Sequence, residues 1–479
     1  MHIRTLVIVA LSVLFLAFPS AHSQPPTPST VATTAQSFAI GNTEGYNQGE
    51  FFANGLYWVY YSSGTNELFK SSTDGNTWSS PTVIRPNRDG SGFSGVFDGT
   101  YFHYVEGGSH IMYRRGFPNN DGTITWSAPE QTVQVCGTKV YACDDAAITV
   151  DTRGSVWVAY STPLSDCNGC LPSYPYVTKN ANHDGTWSTA AGFPVKLSNA
   201  GSGGTGMGDW GETILPLSDQ QTYVLFGHGE SQLNGAGSSP ILGKLYNSGF
   251  GPEEQATSSP LLANMRYSSA VTIGDNIYLA FLAPNSQTNM ADVRFVERTA
   301  TGTWTPEVTI YPSLTTTNLA TSGKNALALC RDSSGNLYLF WMGSPNPNDI
   351  YYMKYSAATR AWSPNPTDWI TETQTIQDNR NIMVYPETYQ GNLGVTYETR
   401  STTSYNIRFV PFLSNISTVS ISTSSSALPQ VTTTVSSSIE GEETPTGVIF
   451  NYILNEVSMS FMLKTASAVS WWTQALLGR

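Results

Sequence analysis

The sequence predicts an all-β fold, a β-propeller of seven blades, with six as the alternative and the ring closed by an N-terminal strand. Three observations carry this. One unit of aromatic-rich, alternating strand recurs along the chain. Gly, Asn and Asp turn signals punctuate the strands at even spacing. No amphipathic helical pattern interrupts residues 36–413. The repeat period of about 45 to 65 residues lies in the range of propeller blades with variable loops.

Each copy opens on a turn and an apolar strand. In order these are 55–61 (GLYWVYY), 99–104 (GTYFHY), 154–160 (GSVWVAY), 222–226 (TYVLF), 276–281 (NIYLAF), 335–341 (GNLYLFW) and 391–397 (GNLGVTY). The fourth copy is the least regular. The seventh lacks its final turn and strand. A propeller must close its ring, because an open edge strand invites aggregation. Residues 37–40 (SFAI) are a spare strand ahead of the first copy, and the simplest closure places it in the last blade.

The chain ends read differently. Arg4, the apolar run 6–18, the break at Pro19 and Ser20, and Ala21-His22-Ser23 describe a cleavable signal peptide over 1–23. Residues 24–36 form a linker, and the propeller is expected over 37–413. Residues 414–447 are dominated by Ser and Thr, cannot bury a core, and read as a stalk. Asn415-Ile416-Ser417 is an N-glycosylation triplet at its start. Residues 448–479 are apolar but interrupted by Asn451, Asn455, Glu456 and Lys464, as suits an amphipathic helix that lies on a surface or packs on the domain. Surface attachment through this tail is one expectation.

Charged residues make up only 12% of the chain, which fits an extracellular all-β protein better than a cytosolic helical one. The net charge of −12 argues against nucleic acid and anionic membranes as partners. In an oxidising compartment, Cys136–Cys143 and Cys167–Cys170 are the simplest disulfides, with crossed pairs left open. Cys330 follows an apolar run and reads as a buried free thiol.

The turn near the end of each copy carries a more specific mark. It reads STDGNTW at 72–78, DGTITW at 121–126, NHDGTW at 182–187, TATGTW at 299–304 and SAATRAW at 356–362. Asp should accept backbone N–H bonds, Gly should take the left-handed conformation, and Trp should pack between neighbouring sheets. This turn resembles the Asp-box of sialidases and related propellers. The resemblance covers roughly residues 37–413 and implies a glycan or glycoconjugate as partner. It also implies that the Asp-boxes are structural and lie on the face away from the active site.

Strand counting then locates the working mouth. The turn after the third strand lies on one face, and the innermost strands begin on the other. Those starts carry Gln48 and Glu50, Ser94, Asp144 and Asp145, Asp209 with Trp210 and Glu212, Arg266 with Tyr267, Lys324 with Asn325, and Arg380 with Asn381. Arg266, Lys324 and Arg380 would hold a carboxylate-bearing sugar, with Asp144 and Trp210 beside it. Asp145, Asp209 or Glu212 would act as general acid. A Tyr267–carboxylate pair would be the nucleophile that the sialidase resemblance implies. Asp144 and Asp145 could equally cap a turn or bind structural calcium; no other cofactor is expected. Sialidases carry an arginine in a short Phe/Tyr-Arg-Ile-Pro motif near the first blade, whereas residues 48–52 (QGEFF) have none. Two functions are therefore expected: an exo-glycosidase acting on terminal acidic sugars, or a non-catalytic carbohydrate-binding or protein-interaction scaffold. For the second, Tyr174, Tyr176 and Trp210 would supply stacking rings.

Overall fold

The computed structural model describes residues 26–35, 39–40, 49–87, 93–137, 143–162, 174–198, 212–229, 238–260, 268–285, 290–315, 326–373, 381–401 and 403–413. The segments expected to be signal peptide and stalk, the C-terminal segment and Cys167–Cys170 lie outside these residues.

Seven antiparallel sheets follow one another around a ring, so the protein is a seven-bladed β-propeller. The innermost strands of blades one to seven are Glu50–Ala53, Phe93–Phe97, Asp144–Val150, Glu212–Pro216, Ser268–Ile273, Leu327–Arg331 and Ile382–Met383. Each blade then steps outward through strands joined in chain order. Blades two and six carry one additional short strand, Ile124–Trp126 and Thr367–Thr371 respectively. The only helical element among the described residues is a single 3-10 turn, Ser218–Gln220.

The second strand of each blade is the most apolar because it is covered on both faces by neighbouring sheets. Every residue of Leu56–Ser62, Val156–Thr162 and Leu337–Met342 is buried. This explains the continuous apolar runs in the sequence, where a half-solvated strand would alternate. Aromatic side chains join the sheets. Phe51 of blade one stacks on Phe97 and Phe102 of blade two, at 5.3 and 4.9 Å between ring centres.

The box turns have the expected geometry. Asp74 Oδ1 accepts the Asn76 and Thr77 backbone amides, both at 2.8 Å, and Gly75 sits at φ +72°. Asp121 and Asp184 repeat this with Thr123 and Thr186, both at 2.9 Å, over Gly122 and Gly185. Four of the five box tryptophans lean on the preceding blade, while Trp126 meets Tyr104 of its own blade. Trp78 meets Phe409 of blade seven, Trp187 meets Tyr113 of blade two, Trp304 meets Tyr223 of blade four, and Trp362 meets Phe295 of blade five. Blade four has no box. There Tyr246 and Phe250 take the place, with Tyr246 4.8 Å from the ring of Trp157 in blade three.

An N-terminal strand closes the ring, but it is Ser29–Thr34 rather than residues 37–40. It pairs antiparallel with Tyr405–Leu413, with Ser29 opposite Phe409 and Thr34 opposite Tyr405. The propeller therefore begins inside the stretch expected to be linker. Ala39 and Ile40 are buried in the core beside Val31, Phe52 and Met383 without forming a strand. Their apolar signal is one of burial, and their backbone groups serve as single ties: Ser62 N–H donates to Ala39 O at 2.6 Å.

The Cys136–Cys143 disulfide is present, with Cα atoms 5.6 Å apart, and Cys330 is a buried free thiol. Arg114 and Arg115 lie on the third strand of blade two. Their guanidinium groups stack 4.3 Å from the Trp126 ring centre and 4.2 Å from that of Tyr101.

Candidate functional site

At the strand-start mouth, Glu50, Ser94, Glu212 and Asn381 are buried, and Glu50 and Glu212 are tied to neighbouring blades. Glu50 opens its strand and is 2% exposed. The Thr396 hydroxyl of blade seven donates to Glu50 Oε2 at 3.2 Å. Burial pushes its carboxyl up to about 8, against smaller opposing help from Thr396 and the Tyr385 backbone. Glu50 thus keeps its proton through neutral pH. Gly394 makes this fit possible, since a Cβ there would meet Glu50 Oε2 at 2.7 Å and the Phe409 ring at 2.2 Å.

Glu212 opens blade four and is fully buried. It accepts the Ser161 hydroxyl of blade three at 2.6 Å. Ser161 is also the backbone partner of Asp144, and pairing shifts between Asp144 and Ala147, so Asp145 falls within an irregular step. The fold therefore brings Asp144 and Glu212 to one serine. Asn381, beside the start of blade seven, donates through Nδ2 to Glu398 Oε2 at 3.3 Å, and the Ile40 amide donates to Glu398 Oε1 at 2.9 Å. Ser94 is buried in blade two. Asp209, Trp210, Arg266, Tyr267, Lys324 and Arg380, with Gln48 and Asn325, lie outside the described residues.

The stacking rings need correction. Tyr176 is buried against Tyr160, ring centres 5.8 Å apart, and Tyr174 carries the Lys196 ammonium 3.2 Å over its ring. Both belong to a paired strand, Tyr174–Lys179, so neither is an open loop platform. Among the described residues, no three His, Cys, Asp or Glu side chains are grouped to hold a metal ion. Chemically, the described part of this mouth offers a neutral carboxylic acid, Glu50, and the carboxyl groups of Glu212 and Glu398, which accept from hydroxyl and amide donors.

The described residues also enclose a cavity that sequence reasoning did not find. It measures ≈ 510 Å³ and lies at the opposite end of the channel, where the inner strands finish. Two hairpin turns at this end share one construction. Asp151 Oδ1 accepts the amides of Arg153 and Ser155, and Asp332 Oδ1 those of Ser334 and Asn336, each over a glycine at positive φ. The spacing Asp-x-x-Gly at 151–154 and 332–335 was the available signal.

No protein-family model matches the chain, and no curated protein matches it. Among solved structures it is similar to the polysaccharide lyase Uly1, with TM-score 0.48 and 9% identity over 81% of this chain and 99% of that one. It is similar to Trypanosoma rangeli sialidase in complex with the inhibitor DANA, with TM-score 0.38 and 10% identity over 80% of this chain and 58% of that one. An endo-arabinase from Bacteroides thetaiotaomicron gives TM-score 0.29 and 12% identity over 79% and 98%. The likeness concerns the course of the chain. No helix among the described residues is long and apolar enough to cross a membrane.

Proposed function

We propose that the protein is a secreted or cell-surface propeller that acts on glycans at its strand-start mouth, as an exo-glycosidase hydrolysing terminal acidic sugars. The observation that carries this reading is the polar mouth itself. Glu50, Ser94, Glu212 and Asn381 stand at or beside four of the seven inner-strand starts. In sequence, Arg266 and Lys324 stand just before two others, and Arg380 stands next to Asn381 at the start of blade seven. Three cations would hold a sugar carboxylate. Asp145, Asp209 or Glu212 would protonate the leaving oxygen, and Tyr267 paired with a carboxylate would attack. The disulfide supports an oxidising compartment.

The test is release of fluorophore from a 4-methylumbelliferyl sialoside by the full-length protein. Turnover is expected, with at least a hundredfold loss in Arg266→Ala. A folded protein without turnover overturns the hydrolase reading.

One observation favours a second reading, a non-catalytic carbohydrate-binding module. Glu212 is fully buried and spent on Ser161, as a blade-to-blade tie would be. Binding of sialosides without turnover, weakened by Arg266→Ala, would select it.

A further inference from the structure

We propose that the cavity at the strand-end mouth is a second ligand site, which takes a neutral, polyhydroxylated molecule such as a single uncharged sugar residue. It does not depend on the strand-start mouth. Its charged pair, Arg331 and Glu387, stands at the strand ends, while its lining reaches up the channel as far as Thr213, next to Glu212.

The argument begins with volume. At ≈ 510 Å³ the cavity falls in the range of small-molecule sites. Its polar wall comes next. Thr149, Thr213 and Thr272 line it from blades three, four and five, and Arg331 and Glu387 line it from the opposite side. Thr272 is only partly buried, whereas Thr149 and Thr213 are 4% and 2% exposed and contribute mainly packing.

Arg331 and Glu387 define the chemistry. They form an ion pair, and their side chains remain 30% and 46% exposed. The pair is held by backbone: the Arg331 amide donates to Pro386 O at 2.8 Å, and the Thr388 amide to Arg331 O at 3.2 Å. The guanidinium keeps unused N–H groups and the carboxylate keeps lone pairs, so neighbouring hydroxyls of one sugar can accept from the first and donate to the second. Glu387 already balances the Arg331 charge, and Asp98 and Asp151 stand close by, so an anion is disfavoured. Those two acids are themselves committed. Asp98 holds His103 at 3.0 Å and the Thr100 and Tyr101 amides. Asp151 holds Trp157 at 2.9 Å and Lys179 at 3.3 Å. Tyr389, which donates to Gly99 O at 3.1 Å, adds an aromatic wall at the rim.

The experiment is saturation-transfer NMR on the full-length protein with D-galactose, D-xylose and L-fucose, beside tetramethylammonium and N-acetylneuraminic acid. At least one neutral sugar is expected to bind. Its affinity should fall about tenfold in Arg331→Ala and in Glu387→Gln, and should not change in Arg266→Ala. The proposal is overturned if no neutral sugar binds, if only the cation or the acidic sugar binds, or if neutral-sugar binding survives Glu387→Gln and Arg331→Ala in folded protein. Loss of sialoside turnover in Arg266→Ala reports on the other mouth alone.

Discussion

Glu50 shows how one side chain can set the pH response of a whole interface. Its carboxyl is raised from the ordinary 4.5 to about 8, with burial the chief cause. A raised acid binds its proton more tightly in the folded state. Its effect is therefore favourable at low pH and is lost as pH rises from the unfolded value to the folded one. Stability should decline between about pH 4.5 and pH 8 and level off above. Glu50→Gln removes that dependence. At pH 8.5 the variant should exceed the wild type by an amount on the order of 3 to 5 kcal/mol, since each tenfold change in proton affinity is worth about 1.4 kcal/mol. At pH 4 the two should nearly coincide. Urea melts of both proteins across this range give the difference directly, and parallel curves would show that Glu50 does not set the response.

The closing strand is where element-scale reasoning is tested. Ser29–Thr34 buries a single large apolar side chain, Val31, at 1% exposure beside Ile407 and Phe409. The rest of its contribution is a backbone ladder to Tyr405–Leu413 and side-chain ties, among them Lys70 Nζ donating to Val31 O at 2.7 Å and Trp78 Nε1 donating to Ser29 Oγ at 3.0 Å. Val31→Asp places an unpaired charge there and should cost more than about 3 kcal/mol. It should also expose the edge of Tyr405–Leu413 and promote association, visible by light scattering. Thr33→Asp, on the exposed side of the same strand, should change stability by less than about 0.5 kcal/mol. The blades were legible in the sequence because each second strand is buried on both faces and so reads as a run of Val, Tyr, Trp and Phe. The box turns were legible because Asp, Gly and Trp each have one physical task. The closing strand was not, because an outermost strand with one buried residue leaves almost no hydrophobic pattern. Residues 37–40 have that pattern, but Ala39 and Ile40 use it to fill the core. At the mouths, the strand starts were readable by counting. The cavity was not, since Arg331 and Glu387 are far apart in sequence and are joined only by the pairing of blade six with blade seven.

For the whole molecule, the ring separates two mouths by the length of its inner strands. Rigid, close-packed sheets between them predict independence. The Arg266→Ala, Arg331→Ala double variant should lose sialoside turnover and neutral-sugar affinity, each by the factor seen in the single variants. A joint loss beyond those factors would reveal coupling through the channel. Ring closure by the first strand has a mechanical side too. Ser29 lies opposite Phe409, and the chain leaves the last blade at Leu413, so both ends depart from the same end of one antiparallel pair. A force applied through the two termini would open that ladder one rung at a time, like a zipper, rather than shear all its rungs together. The seventh blade would yield first and at low load, while the other six remained closed by uninterrupted chain.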